Sequence, residues 1–146
     1  MDSDRLYDLA STFRTAMEAT LPEDFPDTLT LHHAGGFPRG CCGDTSVLLA
    51  EYLTQNGYTG VQLISADNGG DERELYSHAW LEVDGIVVDI TADQFDDYDI
   101  PAVFVSDQSD FHDSFDQDEP RGTSLGDWDG MEAAYDYVVL LIGEVA

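Results

Sequence analysis

The stretch HAWLEVDGIVVDIT, residues 78–91, decides how this chain folds. Apolar and polar residues alternate on both sides of Asp84-Gly85, a dipeptide typical of the two-residue turn of a β-hairpin. A turn at this place puts His78 nearly opposite Thr91, with Asp89 two residues further along on the same face of the hairpin. The pattern therefore predicts a histidine and an aspartate within reach of each other.

A cysteine upstream of the hairpin gives this pair a possible chemical role. Cys42 lies at the start of a predicted helix within GCCGDTSVLLAEYLTQNGY, residues 40–58. A helix N-terminus carries partial positive charge and free backbone N–H groups, which favour a thiolate and stabilise an oxyanion. Gly43 leaves room there for a substrate backbone. A histidine beside such a thiolate acts as general base, and an aspartate fixes the histidine tautomer.

Each of these three residues also has an ordinary explanation. Most free cysteines are small buried hydrophobes, and a single histidine is commonly held in place by one hydrogen bond. The chain contains so many aspartates that one of them in a strand arises easily by chance. The ordered set of cysteine, histidine and aspartate is what favours a catalytic reading.

The remaining elements predict an α+β fold. Apolar residues at helical spacing predict a helix over residues 3–20, and Gly57 is suited to end the helix that begins at Cys42. Three further strands are predicted at residues 61–66, 102–106 and 135–145. An acidic loop is expected at about 107–130, and residues 1–146 are expected to form one domain.

The same residues resemble a known family. Cys42-Gly43-Asp44 at a helix start, then HAWLEV at 78–83 and Asp89-Ile90-Thr91, are similar to motifs of the transglutaminase-like branch of the papain-like cysteine superfamily. The resemblance covers roughly residues 37–95, under half of the chain. It departs from the family pattern at Ile90, where members commonly have proline.

The resemblance implies a papain-like core, with N-terminal helices packed on a mostly antiparallel sheet and the active-site cysteine at a helix N-terminus. It implies Cys42 as nucleophile, His78 as general base and Asp89 as the residue that orients the imidazole. Alignment to the Cys-Gly-Asp motif favours Cys42 over Cys41, which is expected to pack or to shape the turn.

Three further residues are candidates for the substrate or oxyanion site. Gly43 follows the nucleophile, Gln94 follows the Asp89 motif, and Trp80 lies two residues after His78. The alternative for Gln94 is a surface position, and for Trp80 a place in the core.

The expected reaction is attack of the Cys42 thiol on an amide or peptide carbonyl, through an acyl-enzyme, in a peptide or protein substrate. We favour hydrolysis, because water needs no second binding site. The alternatives are transfer of the acyl group to an amine, as in a transglutaminase, or a non-catalytic acidic interaction protein.

Metal binding is the remaining class of site that these residues suggest. The residues that could ligate zinc are Cys41, Cys42, His78 and Asp89. Adjacent cysteines cannot readily take two tetrahedral positions, and Cys-x-x-Cys spacing is missing. The acids of the 107–130 segment lack the Asp-x-Asp-x-Asp-Gly pattern of a calcium loop. We therefore expect no metal and no cofactor.

The charge of the chain is extreme, with 31 acidic residues, no lysine and a formal net charge of −26. Abundant, dispersed aspartate without lysine is typical of halophilic proteins that work in molar salt, where charge repulsion is screened. A nucleic-acid mimic or a binder of basic proteins is the alternative. Direct binding to nucleic acid is not expected, because almost no cations are present to meet phosphates.

The N-terminus is acidic and lacks the basic and apolar regions of a signal peptide. The apolar runs are too short for a membrane span. A cytoplasmic protein without membrane contact is therefore expected.

Overall fold

The computed structural model describes residues 3–33, 37, 41–95 and 97–145. Its helices are α1 (Ser3–Glu18), α2 (Thr30–His33), α3 (Cys42–Gln55), α4 (Asp110–Asp113) and α5 (Met131–Val145). Its strands are β1 (Val61–Gly69), β2 (Leu75–Val83), β3 (Ile86–Asp89), β4 (Phe104–Ser106) and β5 (Asp116–Gln117). Short 3-10 helices occupy Pro22–Asp24, Ala92–Gln94 and Leu125–Asp127. The predicted α+β class is confirmed.

The five strands form one antiparallel sheet in the order β4-β3-β2-β1-β5. Its centre is the predicted hairpin, in which Val83 pairs with Ile86 across the turn and Leu81 pairs with Val88. Asp84 and Gly85 both have positive φ, which is the conformation that a tight two-residue hairpin turn requires. This register leaves His78 and Asp89 on one face, as the sequence predicts.

The sheet is covered on both faces, by different parts of the chain. One face contributes to the main hydrophobic core through residues that pack with the three long helices, namely Leu63, Ala79, Leu81, Val83 and Val88. The other face forms a smaller apolar cluster of Ile64, Ala66, Trp80, Val87 and Phe115. His78 and Asp89 belong to this second face, because side chains alternate along a strand.

Helix α3 ends as the sequence predicts. Gly57 has a φ of +99°, and the Tyr58 N–H donates to the carbonyl of Leu53 while the Gly57 N–H donates to that of Thr54. This pair of bonds is the Schellman arrangement, which favours glycine because of its left-handed backbone. The helix then packs against β1 and β2 and brings its N-terminus to the hairpin.

A buried arginine attaches α1 to the chain that follows β3. The Arg14 guanidinium donates to both carboxylate oxygens of Asp93 at 2.8 Å and to the carbonyl of Ile90 at 2.7 Å. Paired donors of this kind are among the stronger ion pairs, and Arg14 is largely shielded from water. The contact fixes the backbone next to Asp89.

The predicted strand at residues 135–145 is wrong, because this segment belongs to helix α5. The buried residues Met131, Ala134 and Val138 follow a spacing of three and four, which places them on one face of a helix. The strand prediction began at Tyr135 and so missed the first two members of this stripe.

The predicted loop at 107–130 is wrong in part, because it contains α4, β5 and the 3-10 helix Leu125–Asp127. Ser109 caps α4 by accepting a hydrogen bond from the His112 N–H at 3.1 Å. Phe115 is buried against the second face of the sheet, and β5 pairs with β1. Two aromatic residues of this acidic stretch, Phe111 and Phe115, pack against the sheet.

The acidic residues lie at the surface almost without exception. Among the residues whose burial the structure describes, Asp89 is the one acid that is fully buried. No helix within the described ranges is both long and apolar enough to cross a membrane.

Because so many like charges share one surface, we expect the melting temperature to rise by roughly 10 °C or more between 0.1 M and 2 M KCl. Thermal unfolding followed by circular dichroism measures this shift. Sucrose at matched osmolality is the control, since it favours compact states without screening charge. Equal effects of KCl and sucrose would contradict the role given to charge repulsion.

Candidate active site

Cys42 is the first residue of α3, where the sequence predicts it. The first hydrogen bond at this end runs from the Thr45 N–H to the Cys41 carbonyl at 2.9 Å. The N–H groups of Cys42 and Gly43 therefore have no acceptor within the helix and point out of its end. Cys42 is partly exposed, so a substrate can reach its thiol. Because Cys42 begins the helix, the thiol lies beside N–H donors suited to an oxyanion.

Cys41 is placed very differently from its neighbour. It is 1% exposed within the main core, and the hydroxyl of Thr45 donates to its sulfur at 3.6 Å. Burial is the main cause that raises the pKa of Cys41 to about 11. A thiol in this environment stays protonated and unreactive at neutral pH, which supports Cys42 as the nucleophile.

Two polar contacts hold the first turn of α3 against its surroundings. The Asp44 carboxylate accepts the backbone N–H of Leu31 at 3.2 Å, which attaches α2 to this turn. The Ser46 hydroxyl donates to the carbonyl of Ala79 at 3.4 Å, next to His78 in β2. These contacts set the position of Cys42 relative to His78.

His78 and Asp89 meet as the hairpin register predicts. Nε2 of His78 lies 2.6 Å from Oδ2 of Asp89. Each residue is only 2% exposed, so water does not compete for this contact. Because Asp89 accepts from Nε2, it holds the tautomer in which Nδ1 is free to act as a base.

Nδ1 of His78 is buried and has no hydrogen-bond partner of normal geometry among the described residues. After burial and Asp89, Cys42 is the next group that affects the pKa of His78, and its hydrogen bonding and charge both raise it. Since Asp89 holds Nε2, Nδ1 is the nitrogen left to face the thiol. A buried nitrogen without a settled partner is costly in a core. It is the arrangement expected of a nitrogen that exchanges a proton with a neighbouring thiol.

The second oxygen of Asp89 explains the Asp-x-Thr motif. Oδ1 accepts the backbone N–H of Thr91 at 2.9 Å and its hydroxyl at 3.3 Å. Thr91 itself is 1% exposed. Ile90, at the position where the resembled family commonly has proline, is buried in the main core and leaves these bonds intact.

A second histidine, which the sequence analysis did not identify, completes the network. Nε2 of His112, in α4, lies 2.7 Å from Oδ2 of Asp89, the same oxygen that meets His78. His112 is 1% exposed. The available signal was Phe111 and Phe115 on either side of His112, an apolar pair at helical spacing within an otherwise acidic segment.

Charge and burial set the protonation of this network. Burial works against the imidazolium of His78, but the charge of Asp89 and the hydrogen bond to it raise the pKa of His78 to about 10. Burial also works against the Asp89 carboxylate, yet the two histidines hold the pKa of Asp89 well below its usual range. The fold therefore favours an imidazolium facing a carboxylate.

A cleft of about 230 Å³ opens above the nucleophile. Its lining includes Cys42, Gly43 and His78, together with Ser65 and Ala66 of β1. The exposed carboxylates of Asp67 and Asp118 also lie on this lining. A substrate in the cleft thus reaches the thiol, the helix N-terminus and the imidazole together.

The other predicted site residues lie in different places. Gly43 lines the cleft. The side chain of Gln94 lies outside the cleft lining and donates to the carbonyl of Thr91 at 2.9 Å. Trp80 is 0% exposed and packs edge-on against His112, so it supports the site from beneath.

His78, Asp89 and His112 also bring one nitrogen or oxygen each within 4.8 Å of one another, which is close enough to consider a metal. In a metal site, ligand atoms face a common ion. Here both histidine nitrogens contact one carboxylate oxygen directly, at hydrogen-bonding distance. The cluster therefore fits a hydrogen-bond network, and the absence of a metal stays a prediction.

Comparison with known proteins gives no family for this chain: no protein-family model, no curated protein and no solved structure matches it. The functional interpretation rests on the geometry of the site.

The two thiols are expected to differ sharply in reactivity. In the folded protein at neutral pH in 2 M KCl, iodoacetamide should modify Cys42 rapidly and leave Cys41 unmodified. Mass spectrometry of Cys41→Ala and Cys42→Ala assigns the adduct, and guanidinium exposes both thiols as a control. Modification of Cys41 before unfolding would contradict this assignment.

The raised pKa of His78 also predicts how stability depends on pH. Its protonated form stabilises the fold fully below its ordinary value of 6.5, and this contribution is lost as the pH rises toward about 10. The difference in free energy of unfolding between wild type and His78→Gln should therefore narrow from about pH 6.5 to 9. Guanidinium titrations in 2 M KCl measure the free energy of unfolding of both proteins at each pH. A difference between them that does not change with pH would contradict the raised pKa of His78.

Proposed function

We propose that this chain is a cysteine-dependent hydrolase that attacks a peptide or amide carbonyl through an acyl-enzyme. Cys42 is the nucleophile, His78 the general base and acid, and Asp89 the residue that orients His78. One observation carries the proposal: His78 is buried, its Nε2 is held by Asp89, and its Nδ1 is left for the thiol of Cys42.

The first half of the reaction follows from these positions. With the Cys42 proton held on Nδ1 of His78, the thiolate sulfur bonds to the carbonyl carbon of the substrate. The negative charge that develops on the oxygen meets the N–H groups at the start of α3. The imidazolium then gives its proton to the leaving amine, the C–N bond breaks, and a thioester remains on Cys42.

The second half uses the same groups in the opposite sense. Nδ1 of His78 takes a proton from water, and the hydroxide oxygen bonds to the thioester carbon. The C–S bond breaks, the acid product leaves, and the thiolate and imidazolium are restored. Asp89 keeps its charge throughout and stabilises the imidazolium at each stage.

The fold supports the proposed kinship with the transglutaminase-like branch. A cysteine at a helix N-terminus, packed on an antiparallel sheet whose central hairpin carries the histidine and aspartate, is the arrangement that the resemblance implies. We extend the proposal to a papain-like core on this basis.

An amine acyltransferase is the second candidate. Its support is the pair of exposed carboxylates, Asp67 and Asp118, on the lining of the cleft. They favour a cationic group beside the thioester, as in an alkylamine acceptor.

A non-catalytic acidic interaction protein, including a nucleic-acid mimic, needs only surface charge. Nothing in such a role calls for a buried Asp89 that holds the histidine next to the one accessible thiol. The buried network thus favours an enzyme over a binder.

Three variants test the proposed roles in 2 M KCl, with a peptide digest of casein as substrate mixture. New amino groups report peptide hydrolysis, ammonia reports deamidation, and incorporated dansylcadaverine reports amine transfer. We expect Cys42→Ala to abolish turnover, Asp89→Asn to lower it by about 10²- to 10⁴-fold, and Cys41→Ala to keep most of it.

Cys41→Ala is the matched control, because it changes the adjacent thiol. Near-ultraviolet circular dichroism checks that each variant is folded. Full turnover by folded Cys42→Ala would contradict the proposal. Dansylcadaverine incorporation in excess of hydrolysis would favour the acyltransferase.

A further inference from the structure

His112 is the buried polar residue whose role the triad alone leaves unexplained. It comes from α4, a separate part of the chain from the hairpin, and its hydrogen bond to the triad is made to Asp89. Its ring also lies beside that of His78, with the centroids 6.1 Å apart. It is 1% exposed and is not part of the cleft lining, so it does not meet a substrate. An effect of its hydrogen bond on the reaction must therefore pass through Asp89.

The two hydrogen bonds of the His112 ring favour one tautomer. Its Nδ1 lies at the hydroxyl oxygen of Ser109, and that oxygen also accepts the backbone N–H of His112. The hydroxyl proton of Ser109 is then free to be donated to Nδ1. With Nδ1 as acceptor, the ring proton lies on Nε2 and is donated to Asp89.

One oxygen of Asp89 thus receives two imidazole N–H groups. Oδ2 lies 2.6 Å from Nε2 of His78 and 2.7 Å from Nε2 of His112, while Thr91 occupies Oδ1. With Thr91 alone, the carboxylate would keep freedom to rotate away from His78. The Nε2–H of His112 removes that freedom, and the negative charge of Asp89 is then shared between two imidazole rings.

We propose that His112 is a positioning residue of the same site: Ser109 holds it as the Nε2–H tautomer, and its hydrogen bond fixes the Asp89 oxygen that orients His78. The inference rests on the proposed role of His78 as the base. It adds a fourth and a fifth member, His112 and Ser109, to the chain of hydrogen bonds behind Cys42.

The titratable surroundings of this network are few. Around the two histidines, the structure shows Asp89 between them and Cys42 at His78, with Asp67 and Asp118 on the cleft side. Within α4, Asp110 and Asp113 are exposed. The other ring contacts of the two histidines are aromatic, made by Trp80, Phe95, Phe104, Phe111 and Phe115.

Two substitutions at one position separate hydrogen bonding from packing. His112→Phe keeps a ring among the aromatic residues but removes the donor to Asp89. His112→Gln offers an amide N–H in nearly the place of Nε2 and cannot titrate. We therefore expect His112→Gln to behave like wild type and His112→Phe to differ from it.

The measurement is ¹⁵N NMR of histidine-labelled protein in 2 M KCl, combined with the pH profile of Cys42 alkylation by iodoacetamide. In wild type we expect His112 as the Nε2–H tautomer. In His112→Phe we expect the pH at which His78 loses its proton to rise by about one unit, since Asp89 then gives its charge to one ring. We also expect alkylation of Cys42 to slow by roughly tenfold as His78 loses its fixed orientation.

Ser109→Ala provides a second test if His112→Phe does not fold. It keeps the His112 side chain but removes the Ser109 hydroxyl, both as the donor to Nδ1 and as the cap of α4, so the NMR spectrum should show a mixture of tautomers. Ser109→Thr keeps the hydroxyl and should retain the single tautomer. A single Nε2–H tautomer in folded Ser109→Ala would contradict the role given to Ser109.

The inference is overturned if His112 carries its proton on Nδ1 alone, or if His112→Phe and wild type share the same His78 titration and alkylation profile. These results leave the proposed function standing, because Cys42 remains reactive. If Cys42 of the wild type is inert in the folded protein, the proposed function fails. The tautomer of His112 and the titration of His78 then still test whether His112 donates a hydrogen bond to Asp89.

Discussion

The buried carboxylate of Asp89 is the constraint on which the rest of the site depends. A carboxylate removed from water must have its lone pairs satisfied by donors, or it takes up a proton and loses its charge. Here the donors are Thr91, two residues after Asp89, and the two imidazoles of His78 and His112. They come from β2, from the end of β3 and from α4, so one charge holds three segments in register.

The surrounding structure maintains this contact from both sides of the sheet. On the side of the helices, Arg14 of α1 donates hydrogen bonds to the Ile90 carbonyl and to the Asp93 carboxylate, which fixes the backbone on either side of Thr91. On the other side, Trp80 and the phenylalanines near α4 exclude water from the histidines. The effective dielectric inside such a cluster is low, which strengthens the ion pair of His78 and Asp89.

The parts of this arrangement that the sequence predicts are local or strongly patterned. The Asp84-Gly85 turn determines the hairpin register, and Gly57 marks the end of α3. Helix α5 was mistaken for a strand because its β-branched, apolar run is compatible with both, and only Met131 and Ala134 reveal the helical period. His112 could not be assigned, since its contact with Asp89 joins residues 23 apart in sequence through an acidic segment that folds by tertiary packing.

The length of the hairpin turn determines which side chains meet in the site. Asp84 and Gly85 are exposed and touch no member of the hydrogen-bond network, yet they determine which residue of β3 faces His78. Side chains in a strand alternate between faces. One residue added to the turn would therefore shift the register and place the Asp89 side chain on the face that packs against the helices. An aliphatic neighbour, Val88 or Ile90, would then face the imidazole. Insertions and deletions in this turn are accordingly less tolerable than most substitutions around the cleft itself.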